Sequence, residues 1–159
     1  MEFISAEEFL RQDEKVRQMF LDWWKPSKGD LVSHIDNASD NNLNISIIVG
    51  YFSYGENWKK YPIKGYNIET NVTMDISKNF IPLLTEGQLR KFIEDKTDAT
   101  FEINFSEDVE AGEYKRCMSM YSNKYDLYIG TYQDLDCDLL KAYWKVAIQI
   151  AEQEGKKND

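Results

Sequence analysis

Acidic side chains supply most of the chemistry that this sequence offers, and they are densest in the segment 107–113. The acidic members of that segment are Glu107, Asp108, Glu110 and Glu113. Carboxylates gathered in this way can imitate a row of phosphates and can attract a basic partner. A solvated loop is the alternative interpretation of the same pattern. Because tyrosine is favoured at interfaces, we add Tyr121 and Tyr125 to the candidate partner-binding residues.

Candidates for catalysis or metal binding are sparse. His34 is the only histidine, and no flanking motif supports its use beside a serine or cysteine nucleophile. The alternating aspartates of segment 134–138 imitate the start of a calcium loop, but Leu139 and Lys145 stand where that loop needs glycine and glutamate. An N-terminal helix cap explains these aspartates better. We therefore expect no catalytic residue, no metal and no cofactor, and keep a small hydrolase using His34 as an alternative.

The charge balance narrows the class of partner. Lysine and arginine number 19 against 28 aspartate and glutamate residues, so the net charge is 19 − 28 = −9. Such a chain is repelled by phosphate backbones and anionic membranes, whereas a basic protein is attracted to it. Acidity can also serve solubility alone. The sequence shows neither a secretory signal nor an apolar run long enough to cross a bilayer, so we expect a cytoplasmic protein with no membrane or direct nucleic-acid partner.

Capping boxes mark the starts of two predicted helices. Ser5 with Glu8 begins a helix placed at about 6–24, which Pro26 ends. Thr85 with Gln88 begins a second helix at about 86–96. A third helix is predicted at about 136–152, ended by glycine 155.

Alternating apolar residues predict strands between these helices. The segments are 31–35, 43–52, 72–76, 101–105, 114–121 and 125–132, and the last two form a hairpin. We therefore predict a single α+β domain over residues 1–159, with an antiparallel or mixed sheet packed against three helices. The order of elements over 85–152 is that of the double-stranded RNA-binding domain, but the acidic start of the last helix argues against RNA binding.

Two segments carry a family resemblance: Ile81 to Lys96 and Leu139 to Ala147. Over roughly the C-terminal half, the chain resembles small phage and prophage proteins of Gram-positive bacteria. In size and acidity it is also similar to anti-CRISPR proteins that inhibit the RNA-guided nuclease of type II systems. This resemblance implies a non-enzymatic inhibitor that binds a strongly basic nuclease in the infected host cell and blocks DNA binding or nuclease-domain action. A phage accessory protein with an unrelated partner is the alternative.

Overall fold

The protein has an α+β fold, as the sequence predicts. The computed structural model describes residues 2–34, 45–51, 63–67, 72–75, 80–108, 113–124 and 127–157. The chain divides into two compact units, Ile4–Leu84 and Met1–Phe3 with Thr85–Asp159. The single domain predicted over 1–159 stays a prediction, and the two units are described separately below.

The unit Ile4–Leu84 combines two helices with a five-stranded antiparallel sheet. Its elements are α1 (Ala6–Leu10), α2 (Glu14–Trp23), β1 (Leu31–His34), β2 (Ile45–Tyr51), β3 (Ile63–Asn67), β4 (Val72–Asp75) and β5 (Phe80–Pro82). The strands lie in the order β4-β3-β2-β1-β5. The side chain of Trp24, just after α2, is buried and meets the Phe80 ring edge-on at 5.5 Å between centroids. This contact joins the end of α2 to the edge strand β5.

The single helix predicted over 6–24 is broken in the structure. Helix α1 ends at Leu10, and Asp13 takes an extended backbone conformation as the N-cap of α2. The apolar residues on the two sides of the break still pack together, because Phe9 and Phe20 are both buried and their ring centroids lie 6.1 Å apart. Polar residues occupy the break, so the periodic pattern is the same for one helix or two.

The second unit packs two helices against a three-stranded antiparallel sheet. Its elements are α3 (Glu86–Thr97), β6 (Ala99–Asp108), β7 (Glu113–Ser122), β8 (Tyr128–Leu135) and α4 (Leu139–Lys157). The order β6-β7-β8 places β7 in the centre. The Thr85–Gln88 capping box is present, and Phe92 of α3, Met118 of β7 and Val146 of α4 are all fully buried. The predicted hairpin of β7 and β8 is confirmed.

Helix α4 continues past the glycine that was predicted to end it. The helix reaches Lys157 with Gly155 inside it. An interior glycine costs a helix about 1 kcal/mol relative to alanine, which weakens the helix there without requiring it to stop. No helix in the described part of the chain is long and apolar enough to cross a membrane.

Candidate interaction site

The hairpin of β6 and β7 extends beyond the third strand of its sheet. Strand β7 pairs with β6 along its whole length, from Glu113 to Ser122. Pairing with β8 begins only at Arg116, opposite Leu135. Residues 113–115 of β7 and their partners 106–108 of β6 therefore form a two-stranded extension, with Phe105 and Arg116 at its base. We call residues 105–108 and 113–116 the hairpin end.

An arginine and an exposed phenylalanine lie together at this hairpin end. Phe105 and Arg116 are opposite each other in the register, and the Arg116 Cζ atom lies 5.3 Å from the centroid of the Phe105 ring. The Phe105 side chain is 62% exposed, although it belongs to an alternating apolar run. Aromatic and arginine side chains are the residues most often found at the centres of protein interfaces. The pair has the composition of a binding anchor.

The Arg116 guanidinium lacks hydrogen-bond acceptors where it is buried. Its Nε and Nη1 atoms are shielded from solvent, and neither has a hydrogen-bond partner. A buried donor without an acceptor costs about 1–3 kcal/mol, and more when it is charged. The face of the Phe105 ring offsets part of that cost, since a cation over an aromatic ring gains about 0.5–1 kcal/mol at an exposed site.

Earlier in β6, at Phe101, the same face of the sheet is covered by the helices. Phe101, four residues before Phe105, meets the buried Tyr143 of α4 edge-on at 5.6 Å between ring centroids. The Arg90 guanidinium of α3 lies 5.3 Å from the Phe101 ring centroid. Burial raises the pKa of Tyr143, and the nearby Arg90 charge partly offsets this. The helices therefore cover Phe101, whereas they leave Phe105 exposed.

The predicted acidic segment lies at the tip of this extension. Glu107 and Asp108 end β6, and Glu113 begins β7 directly opposite Asp108. The prediction of a continuous acidic loop over 107–113 is therefore wrong at both ends, because the ladder of β6 and β7 continues through these three positions. Backbone pairing overrides the low strand propensity of acidic residues. Glu110 lies outside the described residues.

Of the two predicted tyrosines, Tyr121 is not part of the same site. Tyr121 pairs with Thr100, at the end of β7 far from Glu113, and eight residues of extended strand separate the two by about 27 Å. The ring of Tyr121 instead meets Tyr128 of β8 at 6.1 Å between centroids. Tyr125 lies outside the described residues. Glu113 and Tyr121 thus occupy opposite ends of β7.

The aspartates that imitate a calcium loop have structural roles. The Asp138 carboxylate accepts a hydrogen bond from the backbone N–H of Lys141 at 3.2 Å, which confirms the predicted cap on α4. Asp134 takes a left-handed backbone conformation with φ of 54°. Its carboxylate pairs with Lys115 at 3.1 Å, and its carbonyl accepts a hydrogen bond from Lys145 at 2.8 Å. Two lysines therefore hold Asp134 in place.

The other residues with catalytic potential form no recognisable site in the described part of the chain. His34 ends β1 and pairs with Phe80 of β5 in the register. Cys117 is buried, Cys137 is exposed, and both are free thiols. Among the described residues, no three histidine, cysteine, aspartate or glutamate side chains are grouped to hold a metal ion. The hydrolase alternative gains no support from these placements.

Comparison of the chain with models of protein families, with curated proteins and with solved structures finds no match.

Sequence reasoning missed the pairing of Phe105 with Arg116. The signal was present as an alternation of Phe101, Ile103 and Phe105, which predicts a shared face of β6. The pattern does not tell how far the helices extend over that face. Only the tertiary structure shows that their cover stops short of Phe105.

Proposed function

We propose that this protein acts by binding a basic partner protein through the hairpin end rather than by catalysing a reaction. The observation that carries the proposal is the pair of Phe105, which is 62% exposed, and Arg116, whose buried donors lack acceptors. A partner that covers Phe105 removes apolar surface from water. A small rearrangement of Arg116 would then let it donate hydrogen bonds to that partner. Binding would therefore remove two unfavourable features of the free protein: the exposed apolar surface of Phe105 and the unpaired donors of Arg116.

The acidic tip supports a basic partner. Glu107, Asp108 and Glu113 belong to this tip, where Asp108 and Glu113 are opposite each other in the ladder. A cationic partner surface is attracted to acidic residues, and this attraction accelerates encounter. The net charge of −9 acts in the same direction over a longer range.

For the identity of the partner, we propose the RNA-guided nuclease of a type II CRISPR system, with this protein as a phage-encoded inhibitor acting in the infected bacterial cell. The resemblance of segments 81–96 and 139–147 to phage proteins supports this assignment. Such nucleases hold the guide–target duplex in a positively charged channel, which an acidic hairpin can occupy. A phage accessory protein with another partner is the second candidate, favoured by the same segments.

The decisive experiment measures target cleavage by guide-loaded type II nucleases from several Gram-positive hosts, with and without the protein. We expect inhibition of at least one nuclease and reduced inhibition by Phe105→Ser. Leu127→Ser is the matched control, because Leu127 is 63% exposed and lies just before β8, next to Ser122 at the opposite end of β7. Unaltered cleavage by every nuclease would exclude the nuclease assignment. A pull-down from host lysate with mass spectrometry would then identify the partner of the accessory protein.

A Phe105→Ser variant that inhibits like the wild type would locate the interface away from the hairpin end. If Leu127→Ser loses inhibition instead, the interface lies around the tyrosines of β7 and β8.

A further inference from the structure

A cavity in the unit Ile4–Leu84 is lined by residues of α1, α2 and the edge strand β5. Its volume is about 190 Å³. A cavity of about 150 Å³ can hold one benzene ring, whereas pockets for drug-sized ligands begin near roughly 300 Å³. Five apolar side chains contribute to the lining: Phe9, Leu10, Leu21, Phe80 and Ile81. The size and the lining therefore suit one aromatic or branched aliphatic group.

Arg17 lines the same cavity, and its guanidinium lacks an acceptor. The Nε atom is buried without a hydrogen-bond partner, and in the described part of the chain no ion pair holds this side chain. Two other arginines on the helices are paired, Arg11 with Glu7 and Arg90 with Glu94. A charged donor without an acceptor is unfavourable. Because Arg17 is only half-buried, a small rotation of its side chain lets it donate to an anionic group in the cavity.

Glu14 adds an opposite charge to the lining. It lies three positions before Arg17 on α2, and both residues share a face of that helix with Leu21. The Glu14 side chain is exposed, and it forms no ion pair with any residue that the structure describes. Gln18, the other polar residue of the lining, donates its amide hydrogen to Asp22 at 2.9 Å. The cavity therefore presents one guanidinium and one carboxylate that no described residue pairs with.

These two charges restrict the chemistry of a ligand. A simple carboxylate is attracted by Arg17 but repelled by Glu14, and a simple amine meets the reverse. In an α-amino acid, one carbon atom carries the carboxylate, the ammonium and the side chain. Such a ligand can place its carboxylate at Arg17, its ammonium at Glu14 and its side chain among the apolar residues. Its own charges sum to zero, so the net charge of −9 does not repel it.

We propose that this cavity binds a free α-amino acid with an aromatic or branched apolar side chain. Arg17 receives the carboxylate, Glu14 receives the ammonium, and the side chain packs against Phe9 and Ile81, which are buried. Burial of that side chain removes apolar surface from water. The cavity shares no residue with the hairpin end, so its test requires neither a nuclease nor any other partner protein.

The experiment titrates the isotope-labelled full chain with L-phenylalanine and follows the amide chemical shifts of Leu10, Leu21 and Ile81. Three further probes each lack one part of phenylalanine. Phenethylamine lacks the carboxylate, 3-phenylpropionate lacks the ammonium, and glycine lacks the side chain. We expect phenylalanine to shift these amides and to bind more tightly than each of the three.

Variants of the two charged residues test their roles. We expect Arg17→Met to weaken phenylalanine binding at least about tenfold, because a hydrogen bond to a charged group is worth about a decade or more in affinity. Glu14→Gln, at an exposed position, should remove the preference for phenylalanine over 3-phenylpropionate. Arg11→Met is the matched control, since Arg11 is paired with Glu7 and does not line the cavity. It should bind phenylalanine like the wild type.

Three outcomes would overturn the proposal. The first is an absence of shifts at these amides with millimolar phenylalanine. The second is equal binding of phenethylamine, 3-phenylpropionate or glycine, because the corresponding part of the ligand would then not be recognised. The third is unchanged binding by Arg17→Met and Glu14→Gln, which would show that neither charge contacts the ligand.

Discussion

At the scale of single residues, Arg116 is half-buried and holds two donors without hydrogen-bond acceptors. These are its Nε and Nη1 atoms, and its guanidinium lies over the Phe105 ring. A buried donor that lacks an acceptor lowers stability. Residues that lower stability tend to occur where function requires them. We therefore expect Arg116 to contribute to partner binding and not to the stability of the fold.

Replacing Arg116 by methionine tests whether Arg116 contributes to partner binding and not to stability. We expect the free energy of unfolding of Arg116→Met, measured with urea, to be unchanged or higher by up to about 1 kcal/mol, because loss of the unsatisfied donors outweighs loss of the cation–ring contact. Partner binding by the same variant should weaken. Arg90→Met is the control, since Arg90 also lies over a phenylalanine ring but is paired with Glu94 at 3.1 Å. A fall of more than about 1 kcal/mol in Arg116→Met would show that the guanidinium is structural.

Asp98 is a second residue that the backbone holds in an unfavourable state. It is the C-cap of α3, with φ of 48° and ψ of 42° in the left-handed region. Such a conformation costs a non-glycine residue roughly 1 kcal/mol, and glycine adopts it freely. We expect Asp98→Gly to raise the free energy of unfolding by about 0.5–1 kcal/mol and Asp98→Ala to lower it. Urea unfolding of both variants measures the difference, and a less stable Asp98→Gly would contradict it.

At the scale of elements, α4 is held to the sheet by Tyr143. This tyrosine is only 4% exposed and contacts Phe101 of β6 through its ring. Burial disfavours the charged phenolate, so the pKa of Tyr143 is raised from its ordinary value of 10.0. Desolvation also raises the pKa of Tyr132 on β8. The packing of this unit should therefore weaken at alkaline pH.

The direction of this pH dependence follows from proton binding. The folded protein holds the Tyr143 proton more tightly than the unfolded chain, so its contribution to stability is complete below about pH 10 and is lost as the pH rises through the folded pKa. We expect Tyr143→Phe to lose less stability than the wild type above pH 10. Urea unfolding across the alkaline range measures this loss. Tyr128→Phe, at an exposed tyrosine, is the control and should follow the wild type. Parallel curves for all three proteins would contradict the expectation.

At the scale of the whole molecule, charge should control the rate at which the partner binds. The net charge of −9 is a property of the entire chain, but three acidic residues, Glu107, Asp108 and Glu113, lie together at the tip of the hairpin end. Steering by a local cluster and steering by total charge predict different results for charge-matched variants. Distinguishing them requires two variants with the same net charge.

The first variant replaces Glu107, Asp108, Glu110 and Glu113 with their amides, which changes the net charge from −9 to −9 + 4 = −5. We expect its association with the partner to slow by about tenfold at low salt, and added salt to slow the wild type in the same way. Dissociation should change little, because rim charges act mainly on the association rate. Surface kinetics measures both rates.

The matched control replaces four exposed glutamates elsewhere and has the same net charge of −5. These are Glu2, Glu7, Glu14 and Glu152. If both variants slow equally, total charge rather than the hairpin end steers binding. If neither slows, the acidic segment is a solvated surface with no part in recognition.

Local patterns in the sequence determined much of this protein. The Thr85–Gln88 capping box began α3 as predicted, and alternation predicted the strands of the second unit. The aspartate cap of α4 was also predicted and is confirmed by Asp138. These features depend on hydrogen bonds and spacing within a few residues, which a sequence records directly. The fold class followed from them.

Tertiary structure alone decided the candidate sites. Phe105 is exposed because helix cover ends before it, and Ile129 is exposed at a bulge in β8. The separation of Tyr121 from the acidic tip likewise depends on strand register. Each of these results from contacts between residues distant in sequence, and no local periodicity reports where such contacts end. The strength of local signals therefore explains why the elements could be predicted and the surfaces they create could not.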